Sequence, residues 1–372
     1  MKIGIMGNYG ATNIGDDAIL TALLNALKAH EVTVFSANPQ ATHEQFNVGT
    51  APLFPLGVRS FLKYGIRKPL SAIKGTDVVI LGGGGLFQDN RLFACLLWAW
   101  QVFWVKWLKR PLFIYATGVG PLHTWLGRKL TSWAYSAAMG VTVRDEYSAK
   151  LLSDIKIAQP VSRWEQGNMI HQTADPAFLL QKEEAPKDRA KGLYVISLRP
   201  WLKYNSKIIS VFVNALLKLK EEKGARFVFA CMQSIREKDH LVIDPVVRKV
   251  GGEIRVPKDF AELLGLLRGA EFAIGMRYHF LMAAMMAQTP VIPVSYGPKV
   301  DELFKGTPLE PYLIPVHSLT AGNLERHLKR LSVDYNNVKI FERARTSHLA
   351  EAAAKNTELF DDFLNSFDQN LI

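Results

Sequence analysis

Cysteine is scarce. Cys95 and Cys231 are the only two in 372 residues, far apart and without metal-type spacing. They read as reduced, buried thiols of a cytoplasmic protein rather than as a disulfide framework. Acidic residues are also short. Asp and Glu number 34 against 45 Lys and Arg, a net charge of +11, which calls for an anionic partner: nucleic acid, an anionic membrane surface or a phosphorylated substrate. Nucleic acid is set aside, because the chain carries no helix-turn-helix, zinc-finger or aromatic RNA-binding signature.

Several catalytic signatures are missing too. There is no HExxH and no cysteine–histidine cluster, so no metal is expected. A GxSxG elbow is absent, which disfavours a serine hydrolase. Neither GxGxxG nor Gly-Lys-Ser/Thr occurs, which removes the usual dinucleotide and P-loop readings. The opening MKIGIMG is too quickly interrupted for a secretory signal and reads as a first buried strand.

What is present is ample apolar sequence, 48% of residues, in a chain longer than one core usually supports. Short apolar strands are predicted at 2–6, 32–35, 77–81, 112–117 and 141–144, with helices between them, the first at 16–29. The stretch 181–191, rich in Lys, Glu, Asp and Ala and without an apolar face, is the expected linker. The pattern then restarts, with strands at 193–197, 226–230, near 254, 272–274 and 291–294 and helices at 206–223, 260–268 and 280–287. A helical tail over 338–367 follows. Such alternation predicts parallel sheets covered on both faces. The expected organisation is α/β, with two Rossmann-like doubly wound domains facing a cleft (GT-B-like): 1–185, 192–335, and a helical segment 336–372 crossing back to the N-terminal domain.

Five segments carry candidate chemistry. The loop from Gly7 to Asp17, after the first strand, lets backbone approach a ligand at a helix N-terminus. It supplies Asn8, Gly15 and Asp16 as candidate substrate contacts, with helix capping the plainer role for Asp16. The run Gly82-Gly83-Gly84-Gly85 ends another strand. Gly83 and Gly84 suit either close ligand approach or a tight crossover, and Gln88 and Asp89 just beyond suit sugar hydroxyls or a helix cap. The sharpest segment is Gly275-Met276-Arg277-Tyr278-His279, between strand and helix. Arg277 offers a planar fork for phosphate or carboxylate, and His279 a proton near neutral pH. Arg199 ends a strand in SLRPW, and Lys299 lies in the rigid turn SYGPKV beyond another strand; both are candidate anion clamps.

Taken in order, GNYGATNIGDDAIL, GGGGLFQD, YATGVGPL, TVRDEYSAKLL, TADPAFLL, SLRPW, CMQ and GMRYHFLMAAMMAQTPVIPVSYGPKV resemble the polysaccharide pyruvyl transferase family. The match is to its bacterial branch that decorates cell-surface and secondary cell-wall polysaccharides. The family pattern usually has a small apolar residue where this chain has Tyr278, and often Tyr-Asp-Pro-Lys where it has Tyr296-Gly297-Pro298-Lys299. The resemblance implies a GT-B-like fold, phosphoenolpyruvate as donor, no separate cofactor, and a glycan or lipid-linked oligosaccharide as acceptor. The product would be a cyclic pyruvate ketal, with His279 as general acid/base. A sugar-nucleotide glycosyltransferase and a noncatalytic ligand-binding relative are the alternatives.

Two segments suggest a peripheral place on the inner face of the cytoplasmic membrane. One is a basic amphipathic helix over 58–69 with Arg59, Lys63 and Arg67 in a stripe. The other is the uncharged, tryptophan-rich stretch 92–105, which is shorter than the roughly 18 residues of a spanning helix and reads equally as core.

Overall fold

A computed structural model describes residues 1–90, 92–157, 170–181, 188–233 and 238–368. The expected linker therefore lies largely outside the described residues. The chain divides into two compact units. The first comprises Met1–Ala11, Ile19–Leu179 and Leu349–Ile372, and the second Thr12–Ala18 and Leu180–His348.

In the first unit the elements run β1 (Lys2–Met6), α1 (Ile14–Ala26, whose opening turn belongs to the second unit), β2 (Glu31–Ser36), α2 (Pro39–Phe46), β3 (Gly49–Pro52), α3 (Val58–Tyr64), α4 (Arg67–Lys74) and β4 (Val78–Gly82). Then follow β5 (Gly85–Phe87), α5 (Phe93–Trp107), β6 (Leu112–Val119), α6 (Trp125–Ser136), β7 (Gly140–Val143), α7 (Glu146–Asp154) and β8 (Ile170–Gln172). The strands pair in parallel in the order β3-β2-β1-β4-β6-β7-β8, with β5 added against β6. Every residue of β4 and β6 is buried, as continuous apolar runs must be when helices cover both faces. Asp145 caps α7 by accepting from Ser148 N, and Thr124 caps α6 by accepting from Gly127 N.

The expected single helix over 58–69 is two. Gly65, at φ +61°, ends α3, and Arg67 opens α4; glycine adopts a positive φ at little cost. The stripe of Arg59, Lys63 and Arg67 is thus divided between two elements.

The second unit repeats the scheme with β9 (Ala190–Ser197), α8 (Asn205–Lys223), β10 (Arg226–Ala230), α9 (His240–Val250), β11 (Glu253–Arg255), α10 (Phe260–Arg268) and β12 (Ala270–Gly275). It continues through α11 (Tyr278–Met286), β13 (Val291–Ser295), α12 (Pro298–Phe304) and β14 (Ile314–Pro315) to α13 (Ala321–Asp368). Its parallel sheet has the order β11-β10-β9-β12-β13-β14. All of α11 is buried, so this helix is core rather than amphipathic cover. From Leu349 onward α13 belongs to the first unit. There Asn356 Nδ2 donates to Ala174 O at 3.0 Å, Thr173 Oγ1 donates to Asn356 Oδ1 at 2.7 Å, and Phe360 and Phe363 pack on Phe113.

Candidate active site

In a doubly wound sheet, ligands collect at the carboxyl ends of the strands, where the strand order reverses. In the second unit that reversal falls between β9 and β12, whose ends are in register, Gly275 opposite Ser197. Arg199 follows β9 and Arg277 follows β12. One strand further out, β13 ends at Ser295 and is followed by Tyr296 and Lys299. The topology alone therefore brings Arg199, Arg277 and Lys299 to one end of one sheet.

Tyr296 shows that they act on a common point. Its hydroxyl is buried, and burial pushes a phenol up. The charges of Lys299, Arg199 and Arg277 outweigh that effect and bring it down to about 7. The Arg199 guanidinium lies 4.3 Å from the Tyr296 ring centroid and 5.2 Å from that of Trp201, and Lys299 Nζ lies 5.2 Å from the Tyr296 ring. The two aromatic rings are themselves 4.7 Å apart. Cation–π contacts of this kind hold a guanidinium in place without neutralising it. Among the described residues Arg199 Nε and Arg277 Nε are buried and hydrogen-bond to nothing. Buried donors of that kind are costly unless an acceptor is to arrive.

Arg277 is oriented from beyond the end of β10, two strands away in the sheet. One of its terminal nitrogens donates to Asp239 Oδ1 and, at 3.2 Å, to Gln233 Oε1. The other Asp239 oxygen accepts the backbone N–H groups of Met232 and Gln233, each at 3.1 Å. The carboxylate is fully buried and clamps the loop after β10 to the arginine. Sequence reasoning missed Asp239 because it closes the charged run Arg236-Glu237-Lys238-Asp239, which looks like a solvated turn. It also passed over Tyr296, although the adjacency to Lys299 was visible.

His279 sits in the first turn of α11, after Arg277 as its N-cap residue. It is 9% exposed and its ring meets that of Tyr278 edge-on at 5.1 Å. Gly15 packs directly on it: a methyl group at Gly15 would lie 1.9 Å from His279 Nδ1. Only glycine fits there, so the requirement at Gly15 is close helix approach. Around it, Asn13 Nδ2 donates to Asp16 Oδ2 at 2.6 Å, and Asn13 bridges to Gln233 in antiparallel fashion. Gly15, Asp16, Gln233, Arg277 and His279 are thereby joined in one unit, with Arg199 and Lys299 at the same sheet end.

The other predicted contacts belong to the first unit, where the strand order reverses between β1 and β4. Asn8 is exposed in the loop after β1, and neighbouring Tyr9 donates its hydroxyl to Gly82 O at 2.8 Å. Gly83 and Gly84 have φ of +70° and +78°, and a methyl at Gly83 would meet Ile19 Cγ2 at 2.1 Å. Ile19 fills the space at Gly83, and the positive φ at both is what a tight crossover requires. Gln88 is half-buried. Asp89 is buried and anchors the start of α6, accepting from His123 N at 2.7 Å and from Thr124 N and Oγ1 at 2.5 and 2.7 Å. Burial raises its carboxyl, but these hydrogen bonds hold it below the usual carboxylate range. Among the described residues no group of three or more His, Cys, Asp or Glu is arranged to hold a metal.

Two parallel-sheet units with helices on both faces define a mixed α/β protein of the GT-B-like class. Solved structures of similar fold span nearly the whole chain. The S. aureus MnaA–UDP complex is 15% identical with a TM-score of 0.65, covering 98% of this chain and 97% of that one. Anabaena Alr3699/HepE in complex with UDP and glucose is 12% identical with a TM-score of 0.64, covering 98% and 100%. The UDP-GlcNAc 2-epimerase of Neisseria meningitidis bound to UDP-GlcNAc is 12% identical, with a TM-score of 0.58 and coverage of 97% and 99%. At these identities the likeness is one of fold. The chain belongs to the polysaccharide pyruvyl transferase family, whose model matches residues 13–298.

Proposed function

We propose that the protein transfers pyruvate from phosphoenolpyruvate to two hydroxyls of a sugar, forming a cyclic ketal on a cell-surface glycan or its lipid-linked precursor. The observation that carries this reading is the convergence of Arg199, Arg277 and Lys299 on Tyr296 at the end of one sheet. A small donor bearing a phosphate and a carboxylate needs several fixed cations, and hydrogen bonds between ionised groups are roughly twice as strong as neutral ones.

The chemistry follows from the donor. Protonation of its methylene carbon leaves an oxocarbenium-like centre at the adjacent carbon, and one sugar hydroxyl attacks there. The bond to the phosphate oxygen then breaks, phosphate departs with the bonding pair, and the second hydroxyl closes the ring. His279, one residue removed from Arg277, is the group assigned to move the proton; general acid–base help of this kind is typically worth roughly 10²–10⁴-fold. The arginines stabilise the departing phosphate, and this scheme calls for no metal or separate cofactor.

Mass spectrometry of an acceptor panel incubated with phosphoenolpyruvate tests the reading. The expected result is a pyruvyl ketal with stoichiometric phosphate release. A second reading, a sugar-nucleotide enzyme, is favoured by fold relatives solved with UDP. Thermal stabilisation by UDP-sugars and none by phosphoenolpyruvate would establish that alternative.

A further inference from the structure

The helices α3 to α6 of the first unit have an unusual charge composition. They hold Arg59 and Lys63, then Arg67, Lys68 and Lys74, then Lys106, then Arg128 and Lys129, and not one acidic residue. The deficit extends beyond them: no Asp or Glu occurs between Glu44 and Asp77, or between Asp89 and Asp145. In a chain with 34 acidic residues, these are long acid-free spans of the sequence.

The same helices expose large apolar side chains. On α3, Leu62 is 80% exposed. Trp107 at the end of α5 is 60% exposed, and Trp125 at the start of α6 is 68% exposed. The other side of α5 is core, with Cys95, Trp98, Val102 and Val105 buried. An apolar groove of about 560 Å³ runs between the start of α3 and the outer sides of α5 and α6, with Gly57, Phe93, Phe103 and Trp133 on its walls. Trp100 ties the groove together, donating to Pro55 O at 3.0 Å and stacking on Phe103. Cations stand over the aromatic rings: Lys129 Nζ is 4.9 Å from the Trp125 centroid and Lys106 Nζ 5.9 Å from that of Trp133.

We infer that this face seats the protein on an anionic bilayer, with Leu62, Trp107 and Trp125 entering the headgroup–acyl boundary and the lysines and arginines contacting lipid phosphates. Exposed apolar side chains rimmed by polar ones are characteristic of interaction sites. Charge decides between occupants. A second copy would oppose one set of basic, acid-free helices to another, whereas an anionic leaflet complements them. Tryptophan beside lysine is also the composition of the membrane interface. At 15 residues α5 is about 22 Å long, short of a roughly 30 Å hydrocarbon core, and among the described residues no helix is long and apolar enough to cross a membrane. The helices therefore lie along the surface. The inference does not depend on the donor chemistry and stands if that reading fails.

Co-sedimentation of the full chain with phosphatidylcholine vesicles, with and without phosphatidylglycerol, tests it. The variants are Lys63→Gln/Lys106→Gln/Lys129→Gln and Leu62→Ser/Trp125→Ser, all at exposed positions. Each cation near an anionic surface is worth about fivefold in binding, so the charge variant should lose roughly a hundredfold at low salt and much less at high salt. The apolar variant should lose binding at both. Absence of wild-type binding to phosphatidylglycerol vesicles, or equal binding by the charge variant, overturns the inference. So does sedimentation-velocity evidence of self-association that Leu62→Ser/Trp125→Ser abolishes, since the face would then be a dimer interface.

Discussion

Replacing Tyr296 with phenylalanine should remove a pH dependence from donor binding while leaving the cations in place. The phenol, ordinarily near 10.0, is brought to about 7 by Lys299, Arg199 and Arg277 against the opposing effect of burial. That difference corresponds to about 4 kcal/mol between phenolate and phenol. Above about pH 7 the free protein therefore holds a phenolate among the same cations that the proposed donor would need. An arriving anion must displace that charge, and the cheapest way is uptake of a proton by Tyr296. Apparent donor affinity should then fall about tenfold by pH 8 and about a hundredfold by pH 9. In Tyr296→Phe this component vanishes. Stability changes in the matching sense. A phenol depressed on folding adds stability as pH rises from about 7 toward 10 and loses it as pH falls through 7, and the variant lacks that rise. Isothermal titration of phosphoenolpyruvate across this range, in buffers of different ionisation enthalpy, reads both affinity and proton uptake. Parallel pH profiles in wild type and variant, with no proton taken up by either, would refute the reasoning.

Arg277→Lys should lower kcat/KM by roughly ten- to a hundredfold, since an ammonium cannot serve Asp239, Gln233 and a bound anion in one plane; steady-state kinetics with a soluble acceptor checks this. His279→Ala should cost roughly 10²–10⁴-fold in turnover while donor affinity by titration stays within a few-fold, and near-normal turnover would remove it from proton transfer. Asp175→Ala should cost about 3–5 kcal/mol in urea unfolding, because it removes a buried partner of Arg144, whose Nη1 donates to Asp175 at 2.9 Å while Nε keeps Asp145 at 3.4 Å. Glu342, buried on α13, has its carboxyl raised well above the usual range by desolvation. Its ionisation drains stability as pH rises from the ordinary carboxylate range toward that higher value, so Glu342→Gln should be more stable than wild type at neutral pH and equal to it in acid, read from denaturant midpoints.

Much of the fold was legible because parallel strands buried on both faces are written as short continuous apolar runs, and β1, β4, β6, β9, β10 and β13 all are. Helix extents were less legible. The tail was expected from residue 338, but α13 begins at Ala321. Its first turns bury Leu324, Leu328 and Leu331, a sound helical spacing hidden among Glu, Arg and Lys on the outer face. The break between α3 and α4 was hidden for the opposite reason. The basic residues keep four-residue spacing across Gly65, and spacing does not report the backbone angle at one glycine.

That the three cations would stand together was legible; what organises them was not. Arg199, Arg277 and Lys299 stand just after strand ends, so topology alone predicts their company. Asp239 pairs with Arg277 from 38 positions away in sequence, and no local pattern announces that contact. The family-like segments also divide into two kinds once placed. Gly118 of YATGVGPL, Arg144 of TVRDEYSAKLL and Asp175 of TADPAFLL meet in the first unit, where a methyl at Gly118 would lie 2.7 Å from Arg144 Nε and Arg144 is ion-paired to Asp175. That knot is buried structure. SLRPW, CMQ and GMRYHF…YGPKV meet instead around Tyr296 and Arg277, where buried guanidinium nitrogens face no acceptor among the described residues. A polar residue whose hydrogen bonds are complete within the fold explains itself by stability, as Asp89 and Arg144 do. One held in place by its neighbours yet left with a buried donor unspent suits a ligand, and on that ground Arg199 and Arg277 are the residues we propose for the anion.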